Sequence, residues 1–109
     1  MLNAEYKFGK VNELPVAIEK GQAGDCFKNI FQNNNGGVSL IMLEAGQNIA
    51  EHLAPAEVMV YVIEGEIELT MNKLPNVVKA GEFFLMGQGV AHSLVAMADS
   101  RVLLVKVKA

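Results

Sequence analysis

The segment Gly46–Gly65 reads GQNIAEHLAPAEVMVYVIEG. Its second half, Val58-Met59-Val60-Tyr61-Val62-Ile63, is apolar at every position, and Glu64-Gly65 stops it. A short run of β-branched and aromatic residues bounded by turn residues predicts a strand. The next segment, Glu66-Ile67-Glu68-Leu69-Thr70-Met71, alternates polar with apolar, so it predicts a strand with one packed face and one wet face. The same punctuation continues in both directions. Turn signals stand at Asn33 to Gly37, Ala45-Gly46, Ala54-Pro55-Ala56, Asn72 to Asn76, Ala80-Gly81, Gly87-Gln88-Gly89 and Ala98-Asp99-Ser100. Strands separated by such turns at intervals of roughly 8–12 residues predict an all-β sandwich or barrel. No window carries a sustained helical period, although residues 1–20 fit either a strand or a helical turn.

The length of 109 residues sets one domain. Hydrophobic residues make up 51% of the chain, yet the longest apolar runs, around Val38–Leu43 (interrupted by Ser39) and Val58–Ile63, fall far short of the ~20 residues a membrane helix needs. The opening MLNAEYKFGK lacks the apolar core of a signal peptide, so a cytoplasmic location is the expectation. Net charge is −3 and the lysines are scattered singly. Nucleic acid and anionic membranes both demand a clustered basic face, so neither is an expected partner. Cys26 is the only cysteine, which leaves no internal disulfide and reads as a packing residue. The doubly apolar strand Val58–Ile63 must be covered on both sides. A second subunit, hence a homodimer, is the economical cover; the N-terminal segment lying over that face is the alternative.

Two segments carry a resemblance to a known family. Gly46, five residues, then His52, with Gly65 closing a Tyr-Val-Ile-Glu stretch, resembles the first motif of the cupin superfamily. That motif runs Gly, five residues, His, one residue, His, three or four residues, Glu, six residues, Gly. The segment Gly81–His92, GEFFLMGQGVAH, resembles the second motif, in which Gly, five residues, Pro, one residue, Gly, two residues and His follow one another. Gly81, Gly89 and His92 match it. The glycines alone set this register, and the only two histidines of the chain then fall on two of the family's ligand positions. The resemblance implies a double-stranded β-helix, or jelly-roll barrel. It assigns residues 38–109 to the conserved barrel and residues 1–37 to N-terminal strands or an arm.

The family's metal site consists of three histidines and a glutamate facing into the barrel. In this chain the second histidine position is Ala54, the glutamate position is Val58, and the proline of the second motif is Gly87. His52 and His92 alone would hold one divalent transition metal (zinc, iron, manganese or nickel) only weakly, because catalytic sites generally keep three protein ligands. Glu57 is the nearest recruit as a third ligand, although strand parity directs it away from the side of Val58. Glu51 should face outward. Met42, Met59, Met71, Met86 and Met97 read as adaptable core filling. Glu64, Glu66 and Glu68 read as a solvated strand face, and Lys106 and Lys108 as solvated edge-strand positions.

Three functions follow. The first is a small-molecule binding barrel whose mouth is walled by Met42, Ala54, Val58, Val60 and Met86, with His52 and His92 as polar anchors. The second is a metal-dependent enzyme of dioxygenase or isomerase type built on the two histidines. The third is a non-catalytic structural or interaction domain. Fold resemblance does not choose the substrate.

Overall fold

The computed structural model describes residues 3–4, 6–15 and 27–108; Cys26 lies outside them. Among the described residues ten strands follow one another: β1 (Asn3–Ala4), β2 (Phe27–Asn33), β3 (Gly36–Leu43), β4 (Asn48–Leu53), β5 (Glu57–Glu64), β6 (Glu66–Met71), β7 (Leu74–Lys79), β8 (Phe83–Met86), β9 (Ala91–Ala96) and β10 (Ser100–Val107). No helix occurs among the described residues, so none there is long and apolar enough to cross a membrane. All pairings are antiparallel. They form a six-stranded sheet in the order β1-β2-β3-β10-β5-β8 and a four-stranded sheet in the order β4-β9-β6-β7. This is the all-β jelly roll that the resemblance implies, where the strand spacing alone predicts a sandwich or barrel.

The chain changes sheet repeatedly between β3 and β10. Gly46, Gly65, Gly81 and Gly89 stand at four of these corners, all with positive φ. Gly65 shows why the residue type matters. Its φ is 91°, and a Cβ there would run into Ser100 Oγ and the carbonyl of Asp99. Both facts forbid a side chain. Ser100 is fully buried at this point. Its hydroxyl accepts from Glu66 N at 3.1 Å and lies 2.7 Å from the carbonyl of Ala98, to which it donates. One hydroxyl therefore ties the corner after β5 to the corner before β10.

Two turns differ from their sequence reading. The β2–β3 hairpin turns on Asn34 and Asn35, and Gly36 and Gly37 already belong to β3. They are glycines because the backbone of β10 at Lys106 crowds Gly36, and the end of β2 at Phe31 and Gln32 crowds Gly37, too closely for a Cβ. The β6–β7 turn is only Asn72-Lys73, both with positive φ, as a tight hairpin of primed type requires. Pro75 thus sits inside β7, where it is tolerated because β7 is an edge strand.

The core lies between the sheets. Ile41 and Leu43 from β3, Val58, Val60 and Val62 from β5, Ile67 and Leu69 from β6, Leu94 and Ala96 from β9, and Val102 and Leu104 from β10 meet there. Full burial of each such aliphatic side chain contributes roughly 1.5–3 kcal/mol. The outer face of the four-stranded sheet is polar, with Glu68 beside Val95 and Thr70 beside Ser93. The outer face of the six-stranded sheet is apolar. Leu40, Leu103, Tyr61 and Phe83 form one ladder across it, and Val38, Val105, Met59 and Leu85 the next. At one end of this face Leu40 and Met42 are buried, and Arg101 Nη1 donates to the carbonyl of Pro15 at 3.2 Å. At the other end Phe83 and Leu85 are 57% and 66% exposed.

Gly65→Ala is expected to lower unfolding free energy by at least about 2 kcal/mol, from the steric conflict and the positive φ together. Ser100→Ala should cost about 1–3 kcal/mol by leaving Glu66 N–H buried without its partner. Urea denaturation of both variants checks this; an unchanged midpoint for either refutes the corner as a fixed point of the fold.

Candidate functional site

His52 and His92 are direct register partners on β4 and β9. In an antiparallel pair, partners project to the same face, and here that face is the barrel interior. Their ring centroids lie 4.2 Å apart with the planes tilted by 58°. The environments differ. β9 is an inner strand and His92 is 6% exposed. β4 is an edge strand with a register irregularity between Ile49 and His52, and His52 is exposed at the rim.

Each ring is fixed in the same way. His52 Nδ1 lies 3.0 Å from the carbonyl of Ala50, and His92 Nδ1 lies 3.1 Å from the carbonyl of Val90. A carbonyl oxygen only accepts, so Nδ1 must carry the proton in both rings. In the neutral imidazole this leaves Nε2 with a free lone pair. Burial pushes the pKa of His92 below the ordinary imidazole value. The Val90 carbonyl acts against that shift, and the neighbouring charge of His52 acts with it. His92 is therefore a neutral hydrogen-bond acceptor at neutral pH.

The two rings stand in a cavity of about 190 Å³. Ile41, Val58, Val60, Leu94 and Leu104 form its floor and inner walls; Ile49, Leu53, Phe27, Pro55 and Met86 line the rest. Lys106 completes the rim. An apolar cavity of about 150 Å³ is enough to take benzene, so this one has the volume for a small organic molecule.

Of the residues singled out in the sequence, the structure gathers His52, His92, Val58, Val60 and Met86 around the cavity. It places three others elsewhere. Ala54 is buried in the hydrophobic core and does not line the cavity. Met42 does not wall the mouth. Its neighbours Ile41 and Leu43 point into the core, so strand parity turns Met42 onto the opposite face of β3, toward Arg101. Glu57 joins Met59, Leu85, Val105 and Val107 around a groove on the outer face, which removes it as a third ligand beside the histidines. Lys106 is the residue that the sequence reading misplaced. β10 lies between β3 and β5 and is not an edge, and Lys106 continues the inward positions Val102 and Leu104. The segment RVLLVKV is apolar on both faces over Val102–Val105, so the sequence does not mark which face Lys106 takes.

The cupin metal was tested against this donor set. Two imidazole Nε2 atoms are available, but among the described residues no group of three histidine, cysteine or carboxylate side chains occurs. The walls next to the rings are valine, leucine and isoleucine. A catalytic zinc site keeps three protein ligands, and the iron facial triad adds a carboxylate to two histidines. The residues present do not fit that metal.

The geometry places the chain among known proteins. The family profile of the cupin domain matches residues 39–108. No curated protein matches at a significant level. Among solved structures, a conserved protein of unknown function from Streptococcus pyogenes is 29% identical, with a TM-score of 0.83 over 95% of this chain and 91% of that one. An RmlC-like cupin from Shewanella frigidimarina is 21% identical, with a TM-score of 0.75 over 99% of this chain and 94% of that one. An RmlC-like cupin from Desulfovibrio desulfuricans is 20% identical, with a TM-score of 0.78 over 90% of this chain and 95% of that one. With two antiparallel sheets, the glycine corners and a family match over most of its length, this chain belongs to the cupin domain family.

Proposed function

We propose that the protein is a binding barrel for a small molecule with a compact apolar body and a hydrogen-bond donor. The observation that carries this reading is the pair of Nδ1–H groups held by backbone carbonyls beside an apolar cavity. It aims two Nε2 lone pairs away from those carbonyls. A hydroxyl or amine N–H entering the cavity finds an acceptor already oriented, with little side-chain entropy left to lose. The aliphatic wall supplies affinity by burial, and the imidazoles supply orientation.

The test compares phenol with toluene, which share the apolar ring and differ in the donor. Phenol is expected to bind at least about fivefold more tightly, because leaving an oriented polar group unpaired costs roughly 1 kcal/mol or more. It should also move the Nε2 nitrogen resonance of His92. Equal affinity for the two, or no binding of either, refutes the reading. Zinc titration against a chelator separates it from a metal enzyme. Structural zinc sites gain about 10–16 kcal/mol from four ligands, a few kcal/mol each. Val58→Glu, which restores the family's carboxylate position beside the two rings, should therefore bind zinc at least ~100-fold more tightly than the wild type. A wild type that matches this variant has a third ligand, and the metal enzyme then takes precedence.

The acceptor role requires neutral His92, so acidification should weaken phenol binding as pH falls through the depressed pKa. Stability follows the same titration. The unfolded imidazole takes up its proton near pH 6.5, whereas the folded one resists. Below about 6.5 the unfolded state thus binds more protons, and stability is lost as pH falls through the folded pKa. Chemical denaturation between pH 7.5 and 5 should show this loss in the wild type and a smaller one in His92→Leu. Parallel profiles would show that His92 is not the titrating group.

We also propose that a second copy of the chain covers the exposed apolar end of the six-stranded sheet. The groove of about 430 Å³ between Met59, Leu85, Val105 and Val107 supports it, as does the exposure of Phe83 beside it. A dimer burying more than ~1,000 Å² in total is expected. Light scattering at micromolar concentration should return the dimer mass, and Leu85→Lys should return the monomer. A monomeric wild type refutes the assembly.

A further inference from the structure

Lys106 is an inward-facing cation at the mouth of an apolar cavity. On β10 it follows Val102 and Leu104, both buried on the core side. Its register partners are Val58 on β5 and Gly37 on β3. Among the described residues the one ion pair is Arg101 with Glu64, at 2.8 Å, and Lys106 has no side-chain hydrogen bond. No carboxylate lines the cavity, and Glu57 faces the outer groove. The ammonium, a donor without an acceptor among the described residues, thus lines the same cavity as His92, an acceptor whose Nε2 has no donor.

We infer that the ligand of this cavity is a small carboxylate that also carries a hydroxyl or amine donor: the carboxylate pairs with Lys106 Nζ and the donor hydrogen-bonds an imidazole Nε2. The inference rests on the binding reading above and assigns its chemical class. His92, kept neutral by its burial and with Nδ1–H turned to the backbone, offers a carboxylate nothing, so the negative group must go to the lysine and the donor to that ring. A phosphate is a poor match. A dianion with three terminal oxygens needs several donors, and the cavity rim supplies one ammonium. The net charge of −3 gives the protein no long-range attraction for anions, so selectivity has to be local. The competing role for Lys106 is to cover apolar wall with its stem while the ammonium sits in water; that role gives no preference between an acid and its amide.

The probes are 4-hydroxybenzoate and its neutral isostere 4-hydroxybenzamide, titrated calorimetrically into the full-length protein at pH 7.5. A charge-assisted hydrogen bond in place of a neutral one predicts a preference of about tenfold or more for the acid. Lys106→Met should bring the acid to within about twofold of the amide, and Lys106→Arg should keep most of the preference. Thermal melting and circular dichroism establish that both variants are folded. Equal binding of acid and amide by the wild type, or a preference that survives in Lys106→Met, overturns the carboxylate assignment. If phenol binds but the acid does not, the carboxylate assignment falls and the binding barrel stands. If neither phenol nor these probes bind, both fall together.

Discussion

A jelly roll asks the chain to leave one sheet and enter the other several times within a short span, and each crossing bends the backbone more sharply than a side chain allows. Glycines with positive φ at four corners meet that demand. Everything downstream inherits their placement. Once Gly46 and Gly89 fix where β4 and β9 begin, the antiparallel register sets His52 opposite His92. Once Gly65 and the buried Ser100 hydroxyl fix the start of β10, parity sends Val102, Leu104 and Lys106 inward. The site is thus a product of corner geometry before it is a product of side-chain chemistry.

The chemistry then depends on what surrounds the two rings. In water a histidine exchanges its proton between both nitrogens and the bulk. Here the backbone carbonyls of Ala50 and Val90 choose the tautomer, and the aliphatic wall makes the charged form of His92 costly. The same low-polarity surroundings that keep His92 neutral strengthen any hydrogen bond made to it. They also make a bare dication a poor guest, because no carboxylate stands by to offset its charge.

The sequence disclosed the corners and the histidine pair because both are signalled by single residues of unusual conformational or chemical character. Glycine spacing and two lone histidines need no knowledge of the neighbours. Met42 and Lys106 were harder. Each is assigned to a face by counting along a strand, and the count depends on where the strand starts and on which sheet position it takes. Lys106 resembles an edge-strand lysine until β10 is known to lie between β3 and β5. Gly36 and Gly37 resemble a turn until the approach of the β10 and β2 backbones shows that they are strand residues deprived of Cβ by crowding. Pro75 misled for the converse reason: proline normally ends a strand, and an edge position excuses it. Local signals were legible; relations between strands distant in sequence were not.

β10 bears opposite characters on its two faces: Val105 and Val107 toward the outer groove, Lys106 toward the cavity. A slip of one residue in its pairing would exchange them. The ammonium would land on the apolar outer face, and valines would fill the space before the imidazoles. Such a misregistered barrel would lose its apolar outer ladder and its mouth in the same step. The alternation along the last strand of the chain therefore ties both faces of the sheet to a single register.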